Sequence, residues 1–451
     1  MRVDKTLPAF TKKSDAAEQL RRLLARVHDI ETGLIRFITE IPLQPDEPAL
    51  HLAVAEYQDP FLVPPRSLDI GTSPIPETSL MGAGAALDRV SALWSAVGEA
   101  IERYALHVYD REEIIFARCR DMGLPCVTPD QMILFSQRQY SVTGFSYVRY
   151  NPEDRIGWTR GIDLRTGDNV WLPAVLSYLA YRPLSPVEHL DSGYSTGAAA
   201  GPSEAAAFHA GLLEVIERDG FACHWYLRRT PPEIDIGDYL GRLPPRLIEI
   251  INRAKVCLRF FDITTDLGVP TVLAIGLPKA GGIAIGASAR PSFAGAIEKA
   301  AVEAFHTWNW ITDLRRNQSR IDDRGQIRSY RDHVVWYLDP TRAAAVDFIL
   351  DAPRPERLPV TEWQIQGDEE RLAALVTMLS EAGYAAFGID LTPAEVLGCN
   401  LHVCRSFVPG LHPLGSGTGN EHGDLRRLAR FARKMGLPEP TSINLDPHPF
   451  P

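Results

Sequence analysis

Glu99-Ala-Ile-Glu102-Arg103 is repeated 115 residues later as Glu214-Val-Ile-Glu217-Arg218. Each copy lies in a stretch rich in Ala and Leu, and each stretch reads as a helix. At about 100° per residue, positions i, i+3 and i+4 share one helix face. Two carboxylates and one guanidinium therefore point to a common place from each helix. Taken singly, Glu and Arg four residues apart make an ordinary surface ion pair. Presented twice in one register, the set suggests a shared task. Carboxylates are hard oxygen ligands for Mg²⁺, which usually arrives with phosphates, and arginine matches phosphate oxygens with a planar fork. Two such helices facing each other have the chemistry to hold a nucleoside triphosphate and its metal.

Working outward, Ser14 to Val27 reads as an amphipathic helix with Ser14 as its N-cap and Leu20, Leu23, Leu24 and Val27 on one face. Leu34–Ile41 and Ala49–Glu56 alternate as strands. Gly82-Ala83-Gly84 leads into the first motif helix, about Asp88 to His107, with Val90, Leu93, Trp94, Val97 and Ile101 as its apolar stripe. Residues 115–185 read as a meander of short strands. The second motif helix is expected from about Ser203 to Leu227, packing through Phe208, Leu212, Val215, Ile216 and Phe221. Leu258–Thr264 and Thr271–Gly276 form a strand pair. A third helix, about Phe293 to Leu314, carries Glu298 and Glu303. Charge and proline density make 315–360 an irregular excursion. Asp368–Glu381 is a helix stopped by Gly383. Ala385–Asp390 and Val403–Val408 follow as strands, consistent with a βαβ-like unit. The class is α+β or mixed α/β, divided into an N-terminal helix and strand region (1–70) and a larger unit (71–451). The paired motif hints at an internal duplication, although the flanking sequence does not repeat.

Composition bounds the function. The chain has 451 residues, 45% hydrophobic and 23% charged, enough for a large core. Its net charge of −10 and the lack of a dense basic cluster argue against nucleic-acid binding. The richest basic stretch, Arg426, Arg427, Arg430, Arg433 and Lys434, falls at helical spacing and reads as a solvated face. Neither a signal peptide nor a long apolar run is visible, so a cytoplasmic, non-membrane protein is expected. The six cysteines form no Cys-x-x-Cys pair and read as reduced thiols. Cys399-x-x-His402-x-Cys404 reads as part of a strand rather than as a metal site.

Several of these stretches together resemble the YcaO family, and within it the D proteins of azoline-forming peptide cyclodehydratases. They are Ser95-x-x-x-Glu99-x-x-Glu102-Arg103-Tyr104, Ser195-Thr-Gly-Ala-Ala-Ala-Gly201, Gly211-Leu-Leu-Glu214-Val-Ile-Glu217-Arg218-Asp219 and Pro447-His-Pro449-Phe-Pro451. The resemblance runs from Asp29-Ile-Glu-Thr-Gly33 onward and implies a YcaO-type fold with ATP and Mg²⁺ between the motif helices. It implies that Ser95, Glu99, Glu102, Arg103, Glu214, Glu217, Arg218 and Glu303 bind the nucleotide, with Glu99, Glu102, Glu214 and Glu217 on the metal. Four clustered carboxylates raise one another's pKa, which a metal would relieve.

The implied reaction is ATP-driven cyclodehydration of a ribosomal precursor peptide. A Cys, Ser or Thr side chain adds to the preceding amide carbon, the amide oxygen is phosphorylated, and loss of phosphate leaves thiazoline or oxazoline. Pro447, Pro449 and Pro451 are implied to reach the active site as a stiff polyproline-type tail. Its loss is expected to change thermal stability little, because a terminal segment buries little area. A separate leader-binding, C-type partner is implied, with a flavin-dependent dehydrogenase as a further one and a homodimer allowed. The chain departs from the family pattern at Ala83, Pro202 and Ala206, where Lys, Asn and Glu are common. Glu204 is turned away from the Ala206 position, and Glu303 is followed by His306 and Thr307 rather than Gln. These departures keep two other readings open: a YcaO enzyme making thioamides or amidines, and a non-catalytic scaffold subunit.

Overall fold

The computed structural model describes residues 15–451 apart from 46, 61–79, 192, 354–362, 364, 366 and 416. The expected Ser14 cap, the amino-terminal Met1–Lys13 and the 70/71 boundary lie outside the described residues.

In chain order the elements are α1 (Asp15–Val27), β1 (Ile35–Glu40), β2 (His51–Tyr57), β3 (Met81–Ala86), α2 (Arg89–His107), β4 (Ile115–Ala117), α3 (Gln137–Tyr140), β5 (Ile156–Asp163), β6 (Asn169–Pro173), α4 (Ala174–Ser177) and β7 (Ala198–Gly201). They continue with α5 (Glu204–Tyr226), β8 (Glu233–Ile234), α6 (Pro245–Arg253), β9 (Arg259–Asp262), β10 (Thr271–Gly276), β11 (Ala284–Ala289), α7 (Phe293–Arg316), α8 (Tyr330–Trp336) and α9 (Asp347–Leu350). The last are α10 (Asp368–Glu381), β12 (Phe387–Asp390), β13 (His402–Phe407) and α11 (Arg426–Lys434).

Among the described residues three sheets result: β1-β2-β3, β11-β10-β9-β8, and β4-β5-β12-β13-β7 with β6 also on β5. Every strand pairing in them is antiparallel. The expected βαβ-like unit is therefore corrected: β12 pairs antiparallel with both β13 and β5, because the hairpin-like return through Leu391–Leu401 brings β13 back beside β12. The strands β1 and β2 join β3 in one sheet, so the N-terminal strands and the strand leading to α2 share hydrogen bonds.

Each long motif helix follows a strand of the sheet it covers: β3 leads to α2, β7 to α5 and β11 to α7. A side-chain cap starts each helix. Asp88 accepts from the Ser91 N–H, Ser203 from Ala206 and Ser292 from Gly295. Measured from these caps, Glu99, Glu214 and Glu303 occupy the same position in their helices. The duplication hinted at by the two motifs is thus a threefold recurrence of strand, cap and helix, with His306 standing where the other two helices carry Glu102 and Glu217.

Small residues make the strand–helix contact close. On α2, Ala92, Ala96 and Ala100 are buried at i, i+4 spacing, and on α7 Ala296, Ala300 and Ala304 do the same. Opposite them lie glycines. A Cβ on Gly84 would sit 2.1 Å from the Ala92 carbonyl oxygen, and one on Gly286 2.5 Å from that of Ala300. With the alanine face against its sheet, each helix turns its glutamate face toward one centre.

Residues 315–353 are more regular than expected. Ser329 caps α8 through a reciprocal box with Asp332, and Val334 and Val335 bury their side chains in the core beside α7.

Candidate functional site

The glutamate faces of α2, α5 and α7 converge on a cleft of about 1070 Å³. All eight residues expected to bind nucleotide line it: Ser95, Glu99, Glu102, Arg103, Glu214, Glu217, Arg218 and Glu303. The backbone fixes the leading glutamates. Glu99 Oε2 accepts from the Ala83 N–H at 3.1 Å, and Glu214 Oε2 accepts from the Gly197 N–H at 3.3 Å. Ala83 therefore acts here through its peptide group. Arg103 lies 3.3 Å from Glu99, and Arg218 lies 3.7 Å from Glu214 and 3.5 Å from Glu217.

Burial dominates the electrostatics. It pushes the Glu102 carboxyl well above its usual range, with Glu214 adding repulsion. Glu214 is raised by burial, partly offset by Arg218 and Arg103. Burial pushes Glu217 up to about 8, against the pull of Arg218 and with help from Glu303 and Glu214. Like-charge repulsion, the cause expected from the clustered carboxylates, is present but secondary to loss of solvent.

The donor set fits a magnesium-bound triphosphate. Arg103 Nε, Arg218 Nη1 and His209 Nε2 are buried without a hydrogen-bond partner among the described residues. Such groups cost free energy unless a hydrogen-bond partner meets them. No group of three or more His, Cys, Asp or Glu side chains among the described residues is arranged to hold a metal unaided. Mg²⁺ does not need one, because it is commonly held by one or two carboxylates with phosphates and water completing the shell. Glu99, Glu102, Glu214 and Glu217 are the carboxylates in the cleft that would be available to it.

Other cleft residues lie outside the sequence motifs. Lys299, one turn before Glu303 and 3.3 Å from it, is detectable at i, i+4 spacing in the third helix. Arg290, His209 and Arg371 also line the cleft, with Trp94 and Trp363. Burial, then Arg371 and Arg290, lowers the His209 pKa to about 4, so its ring is neutral. Nothing local in the sequence marks these residues; they come from separate elements. Glu204 is exposed and Ala206 does not line the cleft, whereas Pro202 does. Glu298 stays outside it. Cys404 packs against Ala207 and Phe208, and Cys399 packs in a different cluster.

The segment Pro447–Pro451 is docked. His448 is 3% exposed and Phe450 2%. The Arg218 guanidinium lies 4.5 Å over the Phe450 ring. The Pro447 carbonyl accepts from Tyr337, the His448 carbonyl lies 2.8 Å from His333 Nδ1, and His448 Nε2 lies 2.8 Å from the Gly415 carbonyl. The expectation that this segment buries little area is corrected. His448 and Phe450 fill space between α5 and α8, so the alternate residues of the proline-rich run anchor it.

The basic stretch is corrected as well. Arg426, Arg433 and Lys434 face solvent, but Arg427 is 1% exposed. Asp219 grips it in two places, Nε to Oδ1 at 2.8 Å and Nη2 to Oδ2 at 2.6 Å, and Asp266 stands 2.7 Å away. Arg427 shares the inner face of α11 with Leu428 and Phe431, and the partner that draws it inside is the residue after Arg218.

Among the described residues, no helix is long and apolar enough to cross a membrane. The chain is 29% identical over 194 residues to an uncharacterized protein of Methanothermobacter thermautotrophicus, covering 43% of this chain and 47% of that one. It thus spans about half of that relative. The fold is similar to a heterocyclase in complex with substrate and cofactor (TM-score 0.75, 22% identity, 97% of this chain and 57% of the other). It is also similar to a chain of the E. coli microcin synthetase McbBCD complex (TM-score 0.55, 15% identity, 85% and 89%). The family model described as YcaO cyclodehydratase, ATP- and Mg²⁺-binding, matches residues 81–412. The convergent helices and this match lead to one conclusion: the chain belongs to the YcaO cyclodehydratase family, an ATP- and Mg²⁺-binding enzyme family.

Proposed function

We propose that the chain is an ATP-dependent cyclodehydratase that forms thiazoline or oxazoline from Cys, Ser or Thr of a ribosomal precursor peptide. The observation that carries this reading is the convergence of the paired Glu-x-x-Glu-Arg faces with Glu303 in one cleft, where Arg103 Nε and Arg218 Nη1 make no hydrogen bond among the described residues, Arg218 Nη1 having only a 3.5 Å ion pair with Glu217. When bound, Mg-ATP supplies the phosphoryl group that makes the amide oxygen a leaving group. Glu99, Glu102, Glu214 and Glu217 line the cleft and would offer the metal one or two carboxylates, with phosphate oxygens and water completing its shell, and Ser95 lies within the same binding surface. Arg103 and Arg218 offset phosphate charge, the largest demand in such transfers. Glu303 completes the ring of carboxylates from α7. Phe450 covers the guanidinium of Arg218 and limits its rotamers and its water. Pro447, Pro449 and Pro451 hold the backbone that delivers Phe450 and His448.

The McbBCD neighbour is a multiprotein synthetase, which supports the expectation of a leader-binding C-type partner here. A flavin-dependent dehydrogenase would act afterwards, oxidising azoline to azole. A second copy of the chain is a further candidate partner.

The test is incubation with the leader-binding partner, a candidate precursor and Mg-ATP, read by mass spectrometry. Each ring removes one water, about 18 Da, by the phosphoryl-transfer route. ATP consumption with a mass gain, or with no mass change, would contradict ring formation.

A further inference from the structure

A second cleft, of about 1440 Å³, lies between the residue 129–150 region and residues 418–445. None of the nucleotide-site residues lines it. Five arginines (Arg138, Arg149, Arg324, Arg328 and Arg426) border it against three acidic residues, Asp130, Glu421 and Asp424. The excess is positive in a chain whose net charge is −10. Arg426 is satisfied by Asp424 at 2.7 Å and by two backbone carbonyls. Arg138, Arg149 and Arg328 have no carboxylate partner among the described residues. The floor is aromatic: Phe135 packs edge-on against Phe145 at 5.0 Å and Tyr140 at 6.0 Å.

Buried polar atoms also line this cleft without partners. Tyr150 is 7% exposed, yet its hydroxyl finds no hydrogen bond, and the same holds for Thr418 Oγ1 and Arg324 Nε. Backbone amides of an extended peptide would satisfy such groups. Arg149 donates to Gln137 Oε1 at 3.0 Å, and arginines that lack a carboxylate partner would take one from a ligand. The two clefts are joined by one segment. Thr441–Leu445 lines this cleft, and five residues beyond Leu445, Phe450 sits against Arg218. Five residues span at most about 18 Å. Asn444 and Asp446 tie the segment to the end of α5 through Tyr226, Trp225 and Arg228. Leu445 in this cleft and Phe450 over Arg218 are therefore no more than about 18 Å apart.

We propose that this cleft holds a flanking segment of the precursor peptide as an extended chain, with Asp or Glu side chains on Arg138, Arg149 and Arg328. The proposal rests on the cyclodehydratase reading for the identity of the peptide. It is independent of the nucleotide residues.

The test uses the full chain and two fluorescein-labelled dodecapeptides of equal length, one with Glu at every third position and one with Lys there. Anisotropy should show binding of the acidic peptide only. Arg138→Glu with Arg328→Glu should weaken it about tenfold, as expected for two lost charge pairs, while Mg-ATP affinity serves as the control for folding. Tyr150→Phe should weaken it by a smaller factor without changing its charge preference. Equal binding of both peptides, or full binding by the double variant, would overturn the assignment. So would a change of oligomeric state in the double variant with peptide binding intact, since the face would then seat a second copy. If no precursor is cyclised while the acidic peptide still binds selectively, the cyclodehydratase reading falls and the anionic-peptide cleft stands. If rings form and the double variant matches the wild type in KM for an acid-flanked precursor, the cleft assignment alone falls.

Discussion

The two Glu-x-x-Glu-Arg helices carry the same local sequence and sit in different surroundings. On α2, the Arg103 side chain is 37% exposed and paired to Glu99. On α5, the Arg218 side chain is 21% exposed, Glu217 is 8% exposed, and Phe450 covers the guanidinium. The residue after Arg218 is locked by Arg427, and the His412 N–H donates to the same Asp219 carboxylate at 2.9 Å. The residue after Arg103 is Tyr104, whose hydroxyl contacts Glu395. A motif supplies the chemistry of a face; residues 412–450 decide how rigidly one copy holds it.

The strongest way to break this difference is to remove the lock. Arg427→Met leaves Asp219 and Asp266 buried without their cation, and should destabilise the fold by about 3–5 kcal/mol in urea unfolding. A loss under about 1 kcal/mol would show that the buried triad is dispensable. Phe450→Ala comes next. It should cost about 3 kcal/mol from lost packing and lower ring formation, because Arg218 loses its cover. Wild-type stability in this variant would restore the view of a loosely attached segment.

The arginines themselves sharpen the contrast. Arg218→Ala should lower ATP turnover about 10²-fold or more, whereas Arg103→Ala should lower it about tenfold. Equal losses would show that the surroundings of α5 add nothing.

The pH dependence is a smaller effect with a definite sign. The folded pKa of Glu217, about 8, lies above its ordinary 4.5. Its favourable contribution to apo stability is therefore complete below 4.5 and lost as pH rises through about 8. If Glu217 ligates the metal it does so ionised, and Mg-ATP should then bind more tightly with rising pH over that window and release protons. Glu217→Gln should reduce both the slope and the proton release, read by calorimetry in buffers of different ionisation enthalpy. Lys299→Met should have the least effect, a few-fold rise in the KM for ATP, because Lys299 is already paired with Glu303.

The long helices are legible in the amino-acid sequence because their apolar stripes are periodic, as with Leu93, Val97 and Ile101. The Glu faces follow from i, i+3, i+4 geometry. Arg427 reads as solvated from its neighbours, because the partner that buries it, Asp219, is distant in sequence. The charge around α8 hides that helix, although Ser329 and Asp332 spell its cap. The βαβ-like reading fails because strand periodicity carries no direction of pairing. Lys299 is legible one turn before Glu303, whereas His209, on α5, and Arg290, between β11 and α7, meet in the cleft only through the tertiary fold, which no local pattern encodes.

Equilibrium titration of ATP against the full chain, with and without Mg²⁺, in the wild type and in Arg218→Ala, bears most directly on the central claim. One nucleotide per chain should bind in a Mg²⁺-dependent way, and Arg218→Ala should lose most of that affinity. Binding that ignores Mg²⁺, or that survives in Arg218→Ala unchanged, would contradict the account.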